Sequence, residues 1–194
     1  MLPQLLVSST IFFATTLNST ATSEHEDLEN ELIQLPSQLQ GLLPQATTKF
    51  YSRLTRRELE LVDESFLLHH NNLSARIEYV KKRLPKHAKI FKFVYTNFNN
   101  KICQLDRSVQ FFYLWRVVHA MNDLLIYNVT VESLYKFVAD VDGEWRFLNR
   151  NEQKQFENLF PSVANRINSN EFKRLVEIGR STWSFNRFVV PTVQ

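Results

Sequence analysis

Between Pro85 and Cys103 the apolar residues Ile90, Val94, Phe98 and Ile102 recur every four positions, with Phe91, Phe93 and Tyr95 beside them. That spacing commits the segment to a helix whose apolar face is broad. The next segment, 106–127, is broader still: Phe111, Leu114, Val118, Met121 and Leu125 fall on one line, with Phe112, Trp115, Val117 and Leu124 alongside. A helix apolar over more than half its circumference needs apolar matter on more than one side. Two arrangements meet that need: a thick core around one central buried helix, or helices that wall an apolar cavity. Strands are a poor alternative. The 194 residues include only three Gly and six Pro, too few for the tight turns of a many-stranded sandwich or barrel. No alternating pattern longer than four residues and no internal repeat is visible, so the expected fold is an all-α single-domain bundle of about six to eight helices.

Boundaries follow from capping chemistry. Thr55 and Glu58 form a capping box flanked by Leu54 and Leu59, which predicts a helix over 55–70 with Leu59, Val62 and Phe66 inward and Leu61 and Leu68 widening the stripe. Asn71-Asn72 stops it, Ser74 is expected to cap the next helix, and Pro85 ends or kinks that one. Asp106 is expected to cap the long aromatic helix and Thr130 its successor, which carries Val131, Leu134, Tyr135, Val138 and Val141. Asn149 with Glu152 begins a shorter helix ending at Phe160-Pro161, and Asn168 or Asn170 begins the last. Pro44 starts a short helical piece near the front. The resulting division is a leader over 1–21, a weakly structured acidic lead-in over 22–43, a helical domain over 44–180 and an aromatic tail over 181–194.

The leader has an apolar run from Leu5 to Leu17, then Ser19 and Ala21 at the small-residue spacing of a cleavage site, so a secreted, extracellular protein is expected. A single cysteine, Cys103, closes no intrachain disulfide, and stability must come from packing. Sequons at Asn72 and Asn128 are candidate glycosylation sites.

The segments FENLFPSVANRINSNEFKRLV (156–176), FYSRLTRRELELV (50–62) and VKKRLPKHAKIFKFV (80–94) resemble the nematode fatty-acid and retinol-binding (FAR) proteins, in the same order and spacing over roughly residues 40–178. The resemblance implies a secreted, nearly all-helical carrier that holds long-chain fatty acids and retinol in an internal apolar cavity, without catalysis and without a cofactor. Segment 106–127 is more aromatic than the family's typical helix, and the tail runs past its usual end.

The residues themselves suit such a role. Aromatic side chains make up 13% of the chain, and the candidate cavity lining is Phe66, Ile90, Phe91, Val94, Phe98, Phe112, Trp115, Val118, Met121 and Leu125. Arg116, mid-helix between Trp115 and Val117, is a candidate anchor for a ligand carboxylate; the alternative is that it pairs with an acidic neighbour or reaches water. Lys82, Lys86 and Lys89 belong to a basic run, KKRLPKHAKIFK, that could dock on an anionic membrane or remain a solvated face. No nucleophile elbow, His-Glu-x-x-His or Gly-rich phosphate loop is present, and no metal site is expected at His69-His70. Cys103, between Ile102 and Leu105, is expected to be buried. The competing class is a secreted basic helical module with a solid core that binds a glycosaminoglycan, nucleic acid or membrane surface; its net charge of +3 permits this, although the resemblance points away from nucleic acid.

Overall fold

Thr55 begins the first long helix as its neighbours require: its hydroxyl accepts from the Glu58 amide at 3.3 Å, and Glu58 Oε2 accepts from the Thr55 amide at 2.9 Å. The computed structural model describes residues 32–127 and 129–186, with side chains to Ser181. Among the described residues there are nine helices and no strand. They are α1 Gln45–Tyr51, α2 Arg56–His69, α3 Leu73–Arg83, α4 Ala88–Ile102, α5 in three consecutive segments (Arg107–Phe111, Phe112–His119 and Ala120–Ile126), α6 Val131–Phe147, α7 Arg150–Leu159, α8 Pro161–Asn168 and α9 Asn170–Asn186.

Several caps differ from expectation, each for a local reason. Asn72, not Ser74, caps α3: its Oδ1 accepts from the Ala75 amide at 3.0 Å, so the Asn pair that ends α2 also starts α3. Asp106 makes no side-chain cap. Its amide instead donates to Gln155 Oε1 at 2.9 Å, so α7 holds the start of α5. Pro161, expected as a stop, is the first residue of α8, where its fixed φ suits the first turn and its missing N–H costs nothing. Ser169 caps α9 by accepting from the Phe172 amide at 3.1 Å, in place of Asn168 or Asn170. The Thr130 and Asn149 caps are present as expected. Helix α9 continues to Asn186, through the start of the expected tail at 181; residues 187–194 lie outside the described residues, as does the leader 1–21.

Residues 22–31 of the expected lead-in lie outside the described residues; the remainder, 32–43, is more ordered than expected. From Leu32 onward it is a packed strap: the Ile33 amide donates to the Leu54 carbonyl at 2.8 Å, and Ile33, Leu39, Leu42 and Leu43 are buried. Burial of these four apolar side chains offsets much of the entropy lost on ordering the strap. Gly41 turns the strap with φ of 85°, and Arg166 from α8 donates to the Gln38 carbonyl at 3.1 Å.

Helix α5 is the centre, packed against α2, α6 and α7, while α9 lies along α6. Its middle segment, Phe112–His119, is π-helical, and this redirects the expected stripe. Phe111 is 50% exposed and Leu114 only partly buried, whereas Val109, Phe112, Tyr113, Val117, Met121 and Leu125 face inward. An i→i+5 turn takes more residues than an α turn, so residues 113, 117, 121 and 125 replace the 3.6-spaced set. Leu68, expected to widen the α2 stripe, is also exposed.

Candidate functional site

The interior is a continuous run of rings. Phe91 stacks on Tyr95 with centroids 4.3 Å apart, Phe50 touches both, and Tyr95 leads through Phe98 to Tyr113, Phe160 and Phe156. Phe112 continues to Trp145 at 5.8 Å, and Phe66 meets Trp115 at 5.1 Å on the far side of α5. Of the expected lining, Phe66, Phe91, Val94, Phe98, Phe112, Val118, Met121 and Leu125 are buried, while Ile90 and Trp115 are half-buried. Several of these side chains take part in ring-to-ring contacts across the interior.

A polar hub sits at one edge of this core, where α2, α3, α4 and α5 meet. Asp63 accepts from Asn122 Nδ2 at 2.7 Å and lies 3.1 Å from His119 Nδ1; His119 Nε2 is 3.8 Å from Asp123. Beside it the Tyr51 and Tyr95 hydroxyls are 3.4 Å apart. Burial pushes the Tyr51 phenol well above its ordinary value and raises that of Tyr95, the latter opposed by the nearby charge of Arg76. Arg76 is the unexpected member. It is 5% exposed, with its guanidinium 5.1 Å from the Phe66 centroid and 5.0 Å from that of Tyr95. Burial lowers its pKa, and its Nε has no hydrogen-bond partner. The sequence held a signal for it: Arg76 falls beside the α3 apolar positions Leu73, Ile77, Val80 and Leu84, at i+3 from the first.

Asp63, His119 and Asp123 could also hold a metal ion, since one donor atom from each lies within 4.8 Å of the others. His119 as placed turns a different nitrogen to each carboxylate; its contact with Asp63 binds α2 to α5, and that with Asp123 lies within α5.

Arg116 is in a different position from Arg76. It is half exposed, its Nε is 3.2 Å from Glu144 Oε1 and its guanidinium covers the Phe111 ring, so it pairs with an acidic neighbour as the alternative reading held. With Trp115, Phe137, Gly143 and Phe147 it lines a cleft of about 400 Å³ between α5 and α6. A larger groove of about 860 Å³ runs between the strap, α1 and Ser162, with Leu32, Ile33, Leu35 and Leu43 as its apolar wall and, among the described residues, no charged residue lining it.

Within the basic run, Lys82, Lys86 and Lys89 are all exposed; Lys86 also reaches Glu58 Oε1 at 2.6 Å, with His87 Nε2 3.4 Å from Glu58 Oε2. The Pro85 break thus brings Lys86 to the start of α2, where it pairs with Glu58 while its side chain stays exposed. Phe93, 67% exposed, stands near Lys89 and Lys92 on α4. Asn72 is exposed, and Asn128 lies outside the described residues. Cys103 is a correction: it is exposed at the end of α4 and accepts from Asn99 Nδ2 at 3.4 Å.

No protein-family model matches the chain. No curated protein matches it either. Among solved structures it is similar to the fatty acid and retinol binding protein Na-FAR-1 from Necator americanus, with a TM-score of 0.58 and 17% identity over 74% of this chain and 96% of that one. The fold is therefore that of an all-α FAR protein.

Proposed function

We propose that the chain is a secreted carrier of long-chain fatty acids and retinol that takes its ligand into the aromatic interior. The observation that carries this is the shared fold, since nearly all of a known fatty acid and retinol binding protein is matched. Supporting it, the interior is built from rings in contact mainly with one another, and rings can exchange such contacts for an acyl or polyene chain at small net cost. Burial of about 15 methylenes at about 0.8 kcal/mol each supplies on the order of 12 kcal/mol gross. Association and chain ordering remove several of these, which leaves micromolar or tighter affinity. The apolar run from Leu5 to Leu17 supports export.

The decisive experiment is titration of the delipidated protein with a fluorescent fatty acid, with oleate and retinol as competitors at low and high salt. A saturable, blue-shifted emission displaced by both and insensitive to salt is expected. No saturable signal would sink the carrier and leave the basic face as the functional surface.

A second element concerns delivery. Phe93 beside Lys89 and Lys92 is the arrangement of a basic surface with an apolar side chain for insertion, so the carrier docks on anionic lipid through α4 with Lys82 assisting. Ligand transfer to vesicles should then rise with anionic lipid content and fall in Phe93→Ser; transfer that ignores both would overturn docking.

A further inference from the structure

Arg76 is a cation enclosed at 5% exposure with no acidic partner within ion-pair distance among the described residues. Of the groups in the hub beside it, Asn122 Oδ1 is an acceptor without a partner, but it is neutral and cannot balance the charge. Both oxygens of Asp63 are taken by Asn122 and His119, and the hydroxyls of Tyr51 and Tyr95 face each other. The faces of Phe66 and Tyr95 partly offset the lost hydration, but a ring supplies no lone pair for Nε. An arginine in this state has the fork of donors that matches a carboxylate and lacks the carboxylate. Surrounding it is the aromatic interior to which the carrier reading assigns the acyl chain.

We propose that Arg76 is the internal anchor for a carboxylate head group, so that the protein selects fatty acids over neutral amphiphiles of the same chain length. This rests on the carrier reading and adds the head-group partner. A cleft of about 540 Å³ lies between the end of α2 and α3, lined by His69 and by Ala75, Glu78, Tyr79, Lys81 and Lys82; Lys81 pairs with Glu78 at 3.5 Å, and Lys82 adds a further positive charge on that side of α3. Arg116 does not serve this purpose, because Glu144 occupies it and half of its side chain is in solvent.

The test uses bound retinol as a neutral reporter and compares its displacement by oleate and by oleyl alcohol. Wild type should bind oleate at least about tenfold more tightly than the alcohol. Arg76→Met should abolish that preference with the alcohol's affinity changed less than about threefold, while Arg116→Gln should retain it. An Arg76→Met preference equal to wild type, or its loss in Arg116→Gln alone, overturns the anchor and leaves the carrier standing. Failure of wild type to bind any of retinol, oleate and the alcohol overturns both. Should Arg76→Met not fold, the carboxyl signal of oleate labelled with ¹³C at C1 decides on wild type: ionised when bound at a pH well below the usual carboxylate range supports the anchor, and titration in the usual range or above it refutes it.

Discussion

Gly179 and Gly143 should respond in opposite directions to the same substitution. A Cβ built on Gly179 lies 2.6 Å from the Tyr135 carbonyl oxygen and 3.2 Å from its carbon, whereas one on Gly143 meets nothing within 4 Å. Ordinary contact begins near 3.4 Å, so Gly179→Ala must push α9 about 0.8 Å away from α6. The obstacle is helix backbone and cannot swing aside as a flexible side chain would. Overpacking of this kind costs about 1–3 kcal/mol, and the gain in helix propensity from Gly to Ala returns at most about 1 kcal/mol. A clash with backbone belongs at the upper end of the range, leaving a net loss of about 1–2 kcal/mol, or roughly 3–6 °C in Tm for a domain of this size. Gly143→Ala collects the propensity gain alone, about 0.5–1 kcal/mol or roughly 2–3 °C. Urea unfolding followed by circular dichroism, with both variants beside wild type, measures each. A Gly179→Ala protein as stable as wild type would show that α6 and α9 do not approach this closely.

The Glu58 pKa is held below its ordinary 4.5: burial alone would raise it, but Lys86, the Thr55 amide and His87 together outweigh that. Because folding lowers this pKa, the stabilisation is present above about pH 4.5 and drains away as pH falls through the folded value. Glu58→Gln should therefore cost about 1–2 kcal/mol at pH 7 and progressively less in acid, checked by denaturant midpoints across pH; a constant difference from pH 7 to 3 would contradict it. Asp63→Ala, which strips His119 and Asn122 of their acceptor, should cost about 3 kcal/mol in the same assay, and a loss under 1 kcal/mol would mean the hub is not held as described. Cys103 in the native protein should react with a thiol reagent about as fast as it does in urea, within roughly tenfold; protection by orders of magnitude would return it to the core.

How much of this was legible depends on the range of the interaction. The capping boxes at Thr55 and Asn149 were readable because a side chain and an amide three residues apart decide them, and the all-α class followed from helical spacing and few glycines. Where two local solutions compete, the spacing is silent. Asn72 and Ser74 both cap well, and Pro161 can end one helix or begin the next. Cys103 has buried sequence neighbours, Ile102 and Leu105, but positions adjacent in sequence point to different sides of a helix end. The π-helical turn of α5 and the burial of the strap depend on contacts made across the whole bundle, and no window of the sequence contains them.

The two arginines separate what position reveals from what partnership decides. Arg116 drew notice because it interrupts the most apolar helix, yet the π-helical turn leaves it on the outside, where Glu144 from α6 meets it. Arg76 lies in a helix with ordinary polar content, and its place on the apolar stripe reads as a long side chain reaching for water. Whether such a charge reaches water depends on what covers it, here Phe66 from α2 and Tyr95 from α4. An arginine covered by rings and left without an acid is destabilising to the empty protein unless a ligand or a distant charge compensates it. Asp63 supplies the distant charge, and a fatty-acid carboxylate would supply the near one. On that argument Arg76→Met should leave the empty protein at least as stable as wild type, because a similar-length apolar side chain fills the same space with no charge to desolvate. Thermal unfolding of the delipidated variant tests this: a Tm several degrees below wild type would mean that Arg76 is held by the fold for its own sake and that its charge is already satisfied.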